Sequence, residues 1–187
     1  MIFVDTSAFL ALTDSSDQYN RQALSTWRGL LEKCARKGCQ NLYGTRETHE
    51  KKAQNSRISG LAPQNCDFGK KLPDNVCVHT LENNETLVCN NYVLVESIAL
   101  IQRRTGLEAV QVLQTQIVPF LDVEWFDQEF HDATVNLVLA MNRRKLSFVD
   151  CSSFTTMRRL GIQSVFTFDD HFREEGFTVV PNASSIA

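Results

Sequence analysis

The chain has 187 residues, 43% of them hydrophobic, and a formal net charge of −3. That length supports one compact domain with a core of its own and falls short of two, so residues 1–187 are read as a single domain. The mild acidity excludes a simple electrostatic nucleic-acid binder of the high-pI kind, and no apolar run approaches the ~20 residues of a bilayer span.

Met1-Ile2-Phe3-Val4 is a short apolar run of strand formers, stopped by Asp5-Thr6-Ser7, which cap well ahead of a helix through Ala8–Leu12. A second helix is predicted from Asn20 to about Lys37, with Ala23, Leu24, Trp27, Leu30 and Leu31 at helical spacing. Periodicity then disappears until about Asn84. Thr86–Cys89 reads as a strand, and Asn90 or Asn91 can cap a helix from Tyr92 to about Arg104, ended by Gly106. Leu107–Val118 reads as helix stopped by Pro119, Leu121–Phe126 as strand, and Gln128–Asn142 as helix. Ser147 opens a helix through Leu160 with Gly161 as its stop. Gln163–Phe168 reads as strand, Asp169–Arg173 as a turn or short helix, and Phe177–Val180 as the last strand. Strands alternating with helices imply an α/β fold whose mostly parallel sheet is flanked by helices on both faces.

Four carboxylates carry the chemistry. Glu96 has Tyr92, Val93, Ala99 and Leu100 as its helical neighbours, so it lies on an apolar face with no Lys or Arg within reach along the helix. An ionised carboxylate on such a face needs compensation from elsewhere, by a distant arginine or by a metal. Asp5 ends the first strand and Asp169 follows the fourth; the carboxyl ends of parallel strands share one edge, where such folds place their sites. Helix capping accounts for either Asp equally well. Asp150 stands third after Ser147 in a capping-box pattern, which also places it at that edge. Jointly, the four acids suit oxygen coordination of Mg²⁺ or Mn²⁺, the machinery of phosphodiester hydrolysis.

Val4-Asp5-Thr6-Ser7-Ala8-Phe9, Asn91-Tyr92-Val93-Leu94-Val95-Glu96, Leu146-Ser147-Phe148-Val149-Asp150 and Thr167-Phe168-Asp169-Asp170-His171-Phe172 together resemble the PIN-domain family, in the family's order. The bacterial VapC-like toxins are the branch they most resemble. The resemblance covers about residues 1–32 and 85–182. It implies a PIN-like fold and a cytoplasmic Mg²⁺- or Mn²⁺-dependent endoribonuclease, the toxin of a type II toxin-antitoxin pair. Asp5, Glu96, Asp150 and Asp169 would be the acidic cluster that binds metal and carries catalysis. Ser7 and Thr167 would orient ligands or the attacking water, and Asp170 ranks as a weaker fifth ligand. A small antitoxin protein, RNA as substrate and a homodimer are the implied partners.

The chain departs from that pattern at about 34–84, which holds four of the eight glycines and two of the four prolines. Residues 33–84 carry nine Lys/Arg and five Asp/Glu, a balance of +4, which leaves −7 for the remainder. This stretch reads as a disordered insert, foreign in composition, that limited proteolysis should cut first. Cys34, Cys39, Cys66 and Cys77 with His49 and His79 have spacings that fit zinc poorly. Without CxxC pairs or a leader, the six cysteines are expected as reduced thiols. Arg103-Arg104 and Arg158-Arg159 should complement helix dipoles. Arg143-Arg144-Lys145 precedes Ser147 and is the candidate RNA phosphate contact, whereas His131 and His171 read as boundary histidines, the latter a minor candidate for RNA contact.

Two other functions fit parts of this pattern. A degenerate PIN module that only binds a partner protein would tolerate the insert but has no use for four acids. An aspartyl-nucleophile phosphatase would need a second Asp two residues after the first, where this chain has Ser7.

Overall fold

The computed structural model describes residues 1–41 and 85–181, the side chains of 34–41 excepted. Five strands, β1 (Ile2–Val4), β2 (Leu87–Asn90), β3 (Leu121–Glu124), β4 (Ser164–Phe166) and β5 (Thr178–Val180), form one sheet in the order β3-β2-β1-β4-β5. Every pairing is parallel, so the expected mostly parallel sheet is wholly so. All residues of β1 and β2 are buried. Successive strand side chains point to opposite faces, so both faces of the sheet's centre are covered, which is why these strands are continuous apolar runs.

Between the strands run α1 (Thr6–Thr13), α2 (Asn20–Asn41), α3 (Asn91–Arg104), α4 (Leu107–Val112), α5 (Gln128–Met141), α6 (Phe148–Leu160) and α7 (His171–Glu174). Phe3, Phe9, Phe154, Phe166 and Phe172 are fully buried and form the centre of the core, with Phe154 packed edge-on against Phe172. Left-handed residues stop two helices: Asn142 (φ 46°) ends α5 and Gly161 (φ 67°) ends α6. Asn and Gly tolerate that conformation where bulkier side chains clash.

The structure departs from expectation in four places. Backbone helix continues in α2 to Asn41, past Lys37 and into the expected insert. The rest of that stretch, 42–84, lies outside the described residues, as do the side chains of Cys34, Cys39, His49, Cys66, Cys77 and His79. The predicted helix Leu107–Val118 instead breaks into α4, a π turn at Leu113–Ile117 and a 3₁₀ turn at Val118–Phe120. Pro119 explains the break: it has no N–H to continue the ladder and its ring crowds the carbonyl one turn back, so the chain widens and then tightens. Strand β3 stops at Glu124, two residues short of Phe126. Strand β4 spans only Ser164–Phe166; beyond it the Thr167 amide still bonds Val180, while the Thr167 hydroxyl and the Phe168 amide go to Asp5 and Ser7 after β1.

Cys89 and Cys151 are free and buried, and desolvation pushes the Cys89 thiol up to about 12. No helix among the described residues is long and apolar enough to cross a membrane.

Candidate active site

The strand order reverses between β1 and β4: β2 and β3 extend from one side of β1, β4 and β5 from the other. At the carboxyl ends of strands flanking such a reversal the connecting segments diverge and leave a crevice. Asp5 follows β1 at this crevice, and Thr167–Asp169 follow β4.

Asp5 is 4% exposed and caps α1. Its Oδ2 accepts from the Ser7 amide (3.1 Å), the Ser7 hydroxyl (2.8 Å) and the Thr167 hydroxyl (3.0 Å). Ser7 Oγ also accepts from the Phe168 amide at 2.9 Å, and Thr167 Oγ1 from the Asp169 amide at 3.0 Å. Two hydroxyls thus lock the end of β1 to the end of β4, holding Asp5 and the turn that carries Asp169. Burial raises the Asp5 carboxyl to about 6, the Ser7 bonds oppose the rise, and the charge of Asp150 adds to it.

Asp150 sits in the first turn of α6 as the acid of a complete capping box. The Ser147 amide donates to Asp150 Oδ2 at 2.7 Å, and the Asp150 amide donates to Ser147 Oγ at 3.0 Å. Capping occupies one carboxylate oxygen. The carboxyl is nevertheless held above its ordinary range, first by burial and further by the charge of Asp169, with the Ser147 bonds and His171 opposing. Capping and convergence therefore coexist in this residue.

Asp169 does not cap α7. The cap position belongs to Asp170, whose side chain makes no cap bond, is 84% exposed and pairs with Arg173 at 2.8 Å. It turns away from the cluster, so nothing supports it as a fifth ligand. Asp169 Oδ1 accepts from the His171 amide at 2.9 Å, a tight turn that brings the imidazole back: His171 Nδ1 lies 3.0 Å from Oδ1. Donor atoms of Asp150, Asp169 and His171 all lie within 4.8 Å of one another.

That tight triple does not include Asp5 or Glu96. Asp5 joins it through Thr167 and through its coupling to Asp150. Glu96, half-buried on α3, accepts at Oε2 from the Thr6 hydroxyl at 2.7 Å. Thr6 follows Asp5 directly, so the start of α1 holds two acids at once. Among the described residues, Asp5, Glu96 and Asp150 have no ion pair, and Asp169 has only His171.

Two contributors were not legible beforehand. Thr6 has a partner 90 residues away, and no local pattern announces it. His171 carried a weak signal in its position two residues after Asp169, the spacing at which an Asp side chain closes a turn.

The basic run before Ser147 is divided. Arg143 is committed to Glu174 (2.6 Å) and Glu175 (3.3 Å), while Arg144 and Lys145 are exposed. Tyr92, one turn before Glu96 on α3, meets Phe148 edge-on, and its hydroxyl lies 2.6 Å from His131 Nδ1. His131 is thus an exposed partner of Tyr92.

The donor set suits a hard divalent cation. Carboxylate oxygens dominate it, and no described lysine or arginine neutralises them.

Comparison with known proteins agrees with this geometry. The model of the PIN domain matches residues 73–177, more than half of the chain. The chain belongs to the PIN-domain family. Relatives of this PIN domain include the 23S rRNA-specific endonuclease VapC20 in two strains of Mycobacterium tuberculosis. That protein is 32% identical over 95 residues, which cover 50% of this chain and 72% of the relative. A crystal structure of Mycobacterium tuberculosis VapC20, described as a sarcin-ricin loop cleaving toxin, superposes with a TM-score of 0.61. The superposition covers 95% of this PIN domain and 97% of that chain at 23% identity, and shows a shared fold. The family match begins after β1, α1 and α2, so Asp5 enters the site through the sheet: β1 is the central strand, and β2 and β4 pair on either side of it.

Proposed function

We propose that this PIN domain is a metal-dependent endoribonuclease that hydrolyses RNA phosphodiester bonds, acting as the toxin of a toxin-antitoxin pair. The observation that carries this reading is the convergence of Asp150, Asp169 and His171 beside a buried Asp5, with no lysine or arginine spent on them. The similarity to a 23S rRNA-specific endonuclease supports RNA as the substrate class.

Asp5, Glu96, Asp150 and Asp169 would hold Mg²⁺ or Mn²⁺. Such an ion, when bound, eases deprotonation of the attacking water and offsets charge on the scissile phosphate. The protein's part is positioning. Ser7 and Thr167 fix the buried oxygen of Asp5, Ser147 fixes Asp150, and Thr6 fixes Glu96, so one oxygen of each of these three carboxylates is held in place. Arg144 and Lys145 are free to meet backbone phosphate, whereas Arg143 would first have to leave Glu174 and Glu175. A small antitoxin and a homodimer follow by analogy with VapC-like toxins.

The test is cleavage of RNA by the full chain in EDTA, Mg²⁺ or Mn²⁺, alongside Asp150→Asn. Metal-dependent cleavage lost in the variant is expected. Cleavage that persists in EDTA, or that survives the substitution, overturns the reading. Growth arrest on expression, relieved by the product of a short neighbouring reading frame, tests the toxin role.

A further inference from the structure

His171 stands apart from the four acids because it would bring a different donor to the same place. Its backbone amide and its imidazole both address Asp169: the N–H donates to Oδ1 at 2.9 Å, and Nδ1 lies 3.0 Å from Oδ1 and 3.3 Å from Oδ2. The side chain is 26% exposed, so it is neither a core histidine nor a freely solvated one. It sits on α7, anchored by the fully buried Phe172 that follows it.

Two donors at right angles on one ion, each with a bond of ~2.1 Å, are separated by ~3.0 Å, and donors on opposite sides by ~4.2 Å. The 3.0 Å between Nδ1 and Asp169 Oδ1 matches the first of these. Donor atoms of Asp150, Asp169 and His171 all lie within 4.8 Å of one another, the scale of a single coordination sphere. The His171 nitrogen and an Asp169 oxygen are therefore already placed as neighbouring corners of one coordination sphere, with an Asp150 oxygen from the start of α6 close by.

We propose that His171 is a direct ligand of the divalent ion, through Nδ1, making the site a mixed nitrogen and oxygen site that favours Mn²⁺ over Mg²⁺. This rests on the metal-dependent reading above and adds to it a ligand and a selectivity. Mn²⁺, although the weakest binder of the divalent first-row series, accepts an imidazole nitrogen more readily than Mg²⁺, which prefers carboxylate and water and loses little when water replaces a nitrogen.

The experiment uses the full chain with Mn²⁺ or Mg²⁺ alone, without RNA. In wild type, electron paramagnetic resonance of bound Mn²⁺ should show hyperfine coupling to a directly coordinated nitrogen, absent in His171→Ala and His171→Asn. Calorimetry should show His171→Ala weakening Mn²⁺ at least about tenfold, the lower end of what losing even an outer partner of a metal ligand costs. Mg²⁺ should weaken less than about threefold, because water takes the vacated position. Asp150→Asn should weaken both ions. Bound Mn²⁺ without nitrogen coupling in wild type, or equal weakening of both ions by His171→Ala, would make the imidazole a hydrogen-bonding partner of Asp169 and overturn the inference, leaving the acid cluster standing. If Asp150→Asn also leaves both ions unaffected, the metal-site reading itself fails.

Discussion

Two groups of acids lie side by side around α7, and the chain treats them in opposite ways. On the outer side, Glu174 meets Arg143 at 2.6 Å, Glu175 is gripped by Arg143 and Arg158, and Asp170 holds Arg173. On the inner side, Asp169, Asp150 and Asp5 face one another with a single histidine among them. Arginines are available within a few residues, and they go to the outer group. An acid that only has to be neutralised is given a guanidinium, which suits carboxylates geometrically. The inner group keeps a mutual repulsion that a bound cation or a proton would relieve.

That contrast is broken most visibly by activity. Asp150→Asn or Asp169→Asn should lower RNA cleavage at least about 100-fold, the upper end of the cost of disturbing even an outer partner of a metal ligand. Glu175→Gln, whose side chain meets only arginines of the outer group, should leave the rate within about twofold. Comparable losses in both groups would erase the distinction, and a gel assay on one RNA substrate decides it.

Next in size is the stability of the metal-free protein. The folded Asp5 carboxyl holds its proton up to about 6, against 3.8 for an ordinary aspartate. Above pH 6 the charged form disfavours the folded state. That penalty disappears as pH falls below 3.8, so acidification across this window adds stability, roughly 3 kcal/mol at most from this residue. Asp5→Asn can present an oxygen to Ser7 and Thr167 without the charge. It should be more stable than wild type in EDTA at about pH 7.5, with the advantage gone near pH 4. Urea melts of both proteins at the two pH values measure it, and a variant less stable at neutral pH would mean that Asp5 is a cap and nothing more.

Asp150→Asn sharpens the comparison, since this residue belongs to both worlds. Losing the charge relieves repulsion from Asp169 but also removes an anion from the first turn of α6. The metal-free variant should therefore melt within about 1 kcal/mol of wild type. Mn²⁺ at 100 times its Kd should stabilise wild type by ~2.7 kcal/mol and the variant by much less. Thermal melts with EDTA and with Mn²⁺ separate these terms. Equal destabilisation in both conditions, with cleavage intact, would leave only the capping role. The smallest effect belongs to Glu175→Gln, whose partners are half-exposed arginines. It should cost up to about 1 kcal/mol, and less in high salt. A loss above that would make the outer group part of the core architecture.

Much of this was legible in the sequence because the signals are local. The strand MIFV, the Ser147 cap and the stop at Gly161 each depend on a few neighbouring residues, and Asp5, Asp150 and Asp169 announce themselves by ending strands or opening helices. What could not be read depends on distant partners. Thr6 finds Glu96 across 90 residues, and Arg143, expected at RNA phosphate, finds glutamates 31 and 32 residues on. The helix before Pro119 failed for a different reason: periodicity reports which face is apolar and is blind to a change in pitch.

The reciprocal bonds between Ser147 and Asp150 have a consequence for timing. A flexible carboxylate that must stop rotating when it meets a ligand loses rotamer freedom at that moment, and the association is weakened accordingly. Here the Asp150 side chain is immobilised by the amide of Ser147, through the same contacts that start α6. Its freedom is lost as the helix nucleates, so by the time any partner arrives the carboxylate is already stationary. One tetrapeptide makes helix initiation and the readiness of the crevice a single event.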